Sequence, residues 1–121
     1  MNDGRRCLSI TEIQRAVADA FGLSISQMLS RQRLRHIARA RQAAMYLCRE
    51  FGRSGRLGHR RQAGSFPRIG LAFSRDHTSV IHACRAVERR RLYDLELARR
   101  LDAVACDLIQ ASAIKPPSEP A

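Results

Sequence analysis

Apolar residues along this chain recur at helical spacing, and no stretch holds the two-residue alternation of a strand. Ile13, Val17 and Phe21 repeat every four residues, and Gly22 follows as a left-handed stop. The start of this first helix is written in two equivalent frames, Thr11 with Gln14 or Ser9 with Glu12. In each, a hydroxyl caps the amide three residues on and a longer side chain reaches back. Residues 23–29 predict a short second helix, whereas 30–36 (SRQRLRH) have no apolar period and predict a basic connection. Between 37 and 51 Gly and Pro are absent, and Ile37, Ala40, Ala44, Leu47, Cys48 and Phe51 share one stripe, which leaves Arg39, Arg41 and Arg49 for the other faces. Residues 52–65, with four Gly and four Arg, predict a mobile, positively charged loop.

Pro67 suits the first turn of a fourth helix that ends near Phe73 and turns Ile69 and Phe73 inward. After Ser74, Arg75 and Asp76, a fifth helix beginning near His77 sets Val80, Ala83, Cys84 and Val87 on a buried stripe, with Asp76 able to cap it. Leu95, Ala98, Leu101, Val104, Ala105 and Leu108 repeat in a last helix, with a bend expected near Tyr93 and Asp94. The fold class is therefore all-α, about six helices in one domain over 10–112, between an N-terminal tail (1–9) and a C-terminal tail (113–121). Two helices joined by a tight turn, the second with a polar first turn, describe a helix-turn-helix of the Trp-repressor-like kind.

Composition narrows the chemistry. With 45% hydrophobic and 27% charged residues in 121, the chain can bury a core. No apolar run is long enough to span a bilayer, and MNDGRR at the start lacks a signal peptide's apolar stretch, so the expected location is cytoplasmic, at the nucleoid. Aromatic residues are 5% and Trp is absent, which leaves little material for stacking single-stranded bases. Cys7, Cys48, Cys84 and Cys106 form no C-x-x-C pair, so no metal is expected, and Cys48, Cys84 and Cys106 read as small buried hydrophobes. His77 and His82, five apart, face different sides of a helix, and His82 reads as structural. Lys115 is the sole lysine and follows Ile114, which excludes a phosphate-binding P-loop. No cofactor loop, activated nucleophile or carboxylate pair is present, and no enzyme activity is expected.

The 22 basic and 11 acidic residues give a formal charge of +11, unevenly placed. Residues 1–30 are balanced, whereas 31–61 hold ten Arg against Glu50 alone. A field of this sign attracts polyanions, although an arginine-rich face can also be merely solvated.

Residues 70–85, GLAFSRDHTSVIHACR, resemble the signature of the C-terminal DNA-binding domain (domain IV) of the bacterial chromosomal replication initiator DnaA. The likeness runs from Ile13 through LSRQR at 29–33 and ARARQAAM at 38–45, and spans roughly 10 to 110. It implies a domain that reads a nine-base-pair DnaA box, with a recognition helix in the major groove and a loop arginine in the adjacent minor groove of double-stranded DNA. Carried over by position, Asp76, His77, Thr78 and Ser79 match the base-reading block and Arg33 the minor-groove arginine. A carboxylate can accept from cytosine N4, His and Thr can meet base edges or thymine methyls, and Arg suits an electronegative minor groove. For Asp76, base contact plus cap stands beside cap alone. Arg31, Arg35, Arg41, Arg49, Phe66 and Pro67 fall at phosphate-contacting positions, and Arg75 and Arg85 are further candidates, with Arg85 and Arg89 equally readable as solvated.

The departures are specific. With about ten residues before the first helix, the chain is expected to act without the nucleotide-binding AAA+ module of the initiator. The turn FSRDH is one residue shorter than the common FGGRDH, and Ser79 stands where Thr is frequent. The 52–65 loop exceeds the family's short connection, and its Arg53, Arg56, Arg60 and Arg61 could reach phosphate or a protein. The expected function is sequence-specific binding at DnaA-box-like sites by a monomer, regulating replication initiation or nearby transcription. The competing reading is an adaptor that binds full-length DnaA or another protein with DNA readout lost.

Overall fold

The structure, a computed structural model, describes residues 7–57 and 64–113. Six helices follow in order: α1 (Ile10–Ala20), α2 (Ile25–Leu29), α3 (Arg35–Arg53), α4 (Phe66–Phe73), α5 (His77–Arg90) and α6 (Leu95–Ala113). Among the described residues the extended pairing is a single parallel bridge, Leu8 to Leu57.

Side-chain oxygens set the helix starts. At α1 the Ser9 frame is the one used: Ser9 Oγ accepts from the Glu12 amide at 3.1 Å and Glu12 Oε1 accepts from the Ser9 amide at 2.9 Å. Gln14 is thereby released for another task. Its side chain is buried, and Nε2 donates to the Ala72 carbonyl at 3.1 Å, which ties α1 to α4. Ser24 and Gln27 repeat the reciprocal pair at α2, after Gly22 (φ +72°) has turned the chain out of α1.

The central helix is α3, which packs against all five others. It extends two residues beyond the expected 37–51 at each end. Ile37, Ala40, Ala44 and Cys48 are fully buried on its inner stripe, and the small side chains among them let α5 and α1 approach closely. Ile13, Ile69, Phe73 and Val80 close on this stripe from α1, α4 and α5, each burial contributing on the order of 1.5–3 kcal/mol. Cys48 lies so deep that burial pushes its thiol far above the usual range, and Cys84 is pushed up to about 11 by the same cause.

Several expectations are corrected by the packing. Arg41 is buried rather than on an outer face. Cys106 is exposed, because α6 buries Leu101, Val104 and Leu108 most deeply, with Leu97, Ala105 and Ile109 partly buried beside them, and Cys106 lies two residues, more than half a turn, from Val104 and Leu108 alike. Leu95 is also exposed, since six residues place it about a third of a turn away from the face of Leu101. His82 is exposed for the same geometric reason, two residues from both Val80 and Cys84. The N-terminal segment is not all tail: Leu8 is buried and its amide donates to the Arg56 carbonyl at 2.9 Å.

Gly52 and Arg53 belong to α3 rather than to a loop, and Leu57 is buried against Leu8. A Cβ on Gly52 would lie 2.4 Å from the Cα of Gly64, so the two strands of the excursion meet backbone to backbone at its base. Arg60 and Arg61 lie outside the described residues. The expected bend between α5 and α6 is a four-residue break, in which the Asp94 carboxylate accepts from the Leu97 amide at 3.1 Å and caps α6. Among the described residues, no helix is long and apolar enough to cross a membrane.

Candidate nucleic-acid interface

Two elements distant in sequence make one face. The first is α4, its turn and α5. Ser65 caps α4 through Oγ, which accepts from the Arg68 amide at 3.3 Å, and Pro67 occupies the first turn, where it forfeits no hydrogen bond. Ser74 leaves the helix in the left-handed conformation (φ 55°, ψ 44°), and the Arg75 amide then donates to the Gly70 carbonyl at 2.8 Å. The turn closes tightly: a Cβ on Gly70 would sit 2.5 Å from the Arg75 carbonyl oxygen.

Asp76 is the cap of α5, its Oδ2 accepting from the Thr78 amide at 3.2 Å, while Oδ1 faces His77 Nδ1 at 3.7 Å. Hydrogen bonds from Thr78, the side chain first and the amide second, hold the Asp76 carboxyl below its ordinary 3.8. The carboxylate is thus ionised and fixed, yet open to solvent. His77, Thr78 and Ser79 are exposed beside it in the first turn of the helix.

The second element is the segment between α2 and α3. Arg31, Arg33 and Arg35 are exposed, and none of the three is ion-paired among the described residues. The backbone beneath them is well bonded: Ser30 Oγ donates to the Gln27 carbonyl at 2.8 Å and accepts from the Gln32 amide at 3.2 Å. Arg31 and Arg33 converge with Arg75, Asp76 and Ser79 around a groove of about 430 Å³, with Arg41 at its floor. Four guanidinium groups line the groove with a single carboxylate, so its balance of charge is positive.

The remaining candidates are dispersed. Arg49 is half-buried over the Phe66 ring, 4.0 Å from its centroid, and Nη1 donates to the Gly64 carbonyl at 3.2 Å, while Pro67 beside it is exposed. Arg85 and Arg89 are exposed on α5. Arg35 borders a different groove, with Phe21, Arg39, Arg90 and Asp94.

Sequence reasoning missed the part played by Arg41. It follows Ile37 by four residues and precedes Cys48 by seven, so it shares their stripe, and that spacing was the available signal. It equally missed Ser30, whose carbonyl accepts from Arg75 across 45 positions at 3.1 Å, a contact with no local signature.

The fold and this face define a DNA-binding helix-turn-helix domain. Comparison with known proteins makes the assignment particular: residues 10–87 match the family described as bacterial dnaA protein helix-turn-helix, and the chain belongs to that family. It is 41% identical over 93 residues to the chromosomal replication initiator protein DnaA of Dechloromonas aromatica, covering 76% of this chain and 18% of that protein. The corresponding protein of Sphingopyxis alaskensis is 41% identical over 105 residues, covering 86% of this chain and 21% of its own. That of Azoarcus sp. is 44% identical over 93 residues, covering 76% and 17%. The chain spans about a fifth of the length of these curated relatives.

Proposed function

We infer that this protein binds double-stranded DNA sequence-specifically at DnaA-box-like sites and so regulates replication initiation or transcription near them. The observation that carries the reading is the convergence of the Arg33 segment with the exposed first turn of α5 on one face, where cations outnumber the lone carboxylate of Asp76. With α5 entering the major groove N-terminus first, Asp76 Oδ1, His77, Thr78 and Ser79 meet base edges, and Arg33 enters the neighbouring minor groove. Arg31, Arg35, Arg85 and the start of α4 at Phe66 and Pro67 lie along the flanking backbone, where contacts position the domain without reading sequence. Arg49 reaches phosphate only beside Phe66, to which its guanidinium is already held.

The test is fluorescence anisotropy on a DnaA-box duplex and a shuffled duplex at near-physiological salt. A preference of roughly a hundredfold or more is expected. Arg33→Ala should cost about 1–3 kcal/mol on the box and little on the shuffled duplex. Equal binding of the wild-type protein to both overturns the reading.

A second reading, an adaptor for full-length DnaA or another protein, rests on the corner between α5 and α6, where Leu92, Tyr93 and Leu95 are 84%, 79% and 63% exposed. Capture of purified DnaA that survives nuclease treatment and is lost on Tyr93→Ser would favour it.

A further inference from the structure

One backbone carbonyl, that of Ser30, accepts hydrogen bonds from two guanidinium groups. Arg41 comes to it from α3, its Nη2 donating to Ser30 at 2.8 Å and to Gln32 at 3.1 Å while Nε donates to Met28 at 3.0 Å. Arg75 comes from the helix-turn-helix turn, its Nη2 donating to Ser30 at 3.1 Å while Nη1 holds the carbonyls of Phe73 and Ser74 at 3.3 and 3.4 Å. Together they use five carbonyls: Met28 near the end of α2, Ser30 and Gln32 in the basic segment, Phe73 at the end of α4 and Ser74 in the turn.

This arrangement is costly in isolation. Arg41 is only 7% exposed, and two like charges share one acceptor. Burial first, and the charge of Arg75 second, pull the Arg41 pKa down from its ordinary value. A residue whose task is to catch phosphate gains nothing from burial, since an exposed guanidinium keeps all its donors for the ligand. What the arrangement delivers is position. Residues 30–34 contain no helix or strand, and the side-chain clamp is what joins them to the element they must act beside.

The geometry points to Arg41 and Arg75 as positioning residues that lock the segment carrying Arg33 to the turn preceding α5, so that the minor-groove and major-groove readers form one rigid head. The inference rests on the DNA-reading function proposed above and adds to it. Arg41 and Arg75 leave the set of phosphate-contacting candidates, and the spacing between the two readers becomes a property of the free protein. Preorganisation of this kind strengthens binding by sparing the ordering of a loop on association.

The experiment is a double-mutant cycle between Arg75→Met and Arg33→Ala, read by anisotropy on box and shuffled duplexes over a range of salt. In the wild-type background Arg75→Met is expected to weaken box binding roughly tenfold, because an unclamped loop must be ordered on binding. The same change should have almost no effect when Arg33 is already Ala, and the salt slope should stay as in the wild type. Arg75→Lys should fail to restore affinity, since a single ammonium cannot bridge the turn and Ser30 as the planar fork does. Additive losses overturn the clamp, as does rescue by Lys. A fall of about 0.9 in the salt slope also overturns it and returns Arg75 to the phosphate contacts. No box preference in the wild-type protein overturns the function reading and with it any part of the clamp in readout, whereas additive losses in a protein that does prefer its box overturn the clamp alone, so the two failures are distinguished. Amide hydrogen exchange in the DNA-free protein gives a second measurement, usable with Arg75→Lys if the Met variant does not fold. Faster exchange at the Gln32 amide with α3 unchanged supports the clamp, and unchanged exchange overturns it.

Discussion

Asp76 shows how one side chain serves both fold and proposed readout. Its Oδ2 caps α5 through the Thr78 amide, and Oδ1 is left toward His77 and solvent. Asp76→Ser keeps a capping oxygen and removes the charge, so thermal melts should match the wild type at neutral pH while box affinity falls roughly ten- to a hundredfold. Asp76→Ala should lose both, with Tm lower by roughly 4–8 °C. Equal box binding by the Ser variant would reduce Asp76 to a cap. The pH dependence follows from the lowered pKa. A carboxyl held below 3.8 in the folded state contributes its stability in full above that ordinary value and loses it as pH falls through the lowered one. Wild type and Asp76→Ser should therefore melt alike above about pH 5 and diverge, with the wild type losing more, in strong acid.

At the scale of elements, the turn between α4 and α5 depends on a glycine that composition alone would not single out. Gly70→Ala would press a methyl against the Arg75 carbonyl, which the α4 and α5 backbones fix from both sides. A loss of about 1–3 kcal/mol is expected in denaturant unfolding, with weaker box binding as the turn opens. Ser74→Gly is the contrast: it relieves a left-handed serine, and the gain is offset by the freer unfolded chain, so near-neutral stability is expected. An unchanged Gly70→Ala protein would show that the turn can yield. These elements also mark how far the sequence was legible. Helix identity, the stripes at 37–51 and 80–87, and the polar first turn of α5 all follow from periodicity and capping chemistry, which are local. The four side chains at the start of α5 follow from the resemblance, and the structure places them together and exposed. What stayed hidden is long-range: Gln14 on Ala72, Arg75 on Ser30, and Leu8 beside Leu57 join residues far apart in the chain. Arg41 is intermediate, since its register was readable but its charge drew it to the surface in a reading that weighs residue type above position.

For the whole molecule, the formal charge of +11 and its placement decide how binding responds to ions. Arg31, Arg33 and Arg35 stand exposed along the segment from the end of α2 to the start of α3, and Arg85 stands exposed on α5. If Arg31, Arg35 and Arg85 neutralise phosphates, log affinity should fall with log salt at a slope of about −3 or steeper, which is about fortyfold or more between 50 and 200 mM. Shuffled duplex should show nearly the same slope, because the phosphate contacts do not depend on sequence. The ratio of box to shuffled affinity should then stay almost constant as both fall, since hydrogen bonds to base edges release few counterions. A salt titration of both duplexes checks this directly. A shallow slope on the box would place the arginine face away from the bound DNA. A steep slope on shuffled duplex alone would mean that the domain sits on its box through α5 with the basic segment disengaged, and the two readers would then not act as one face.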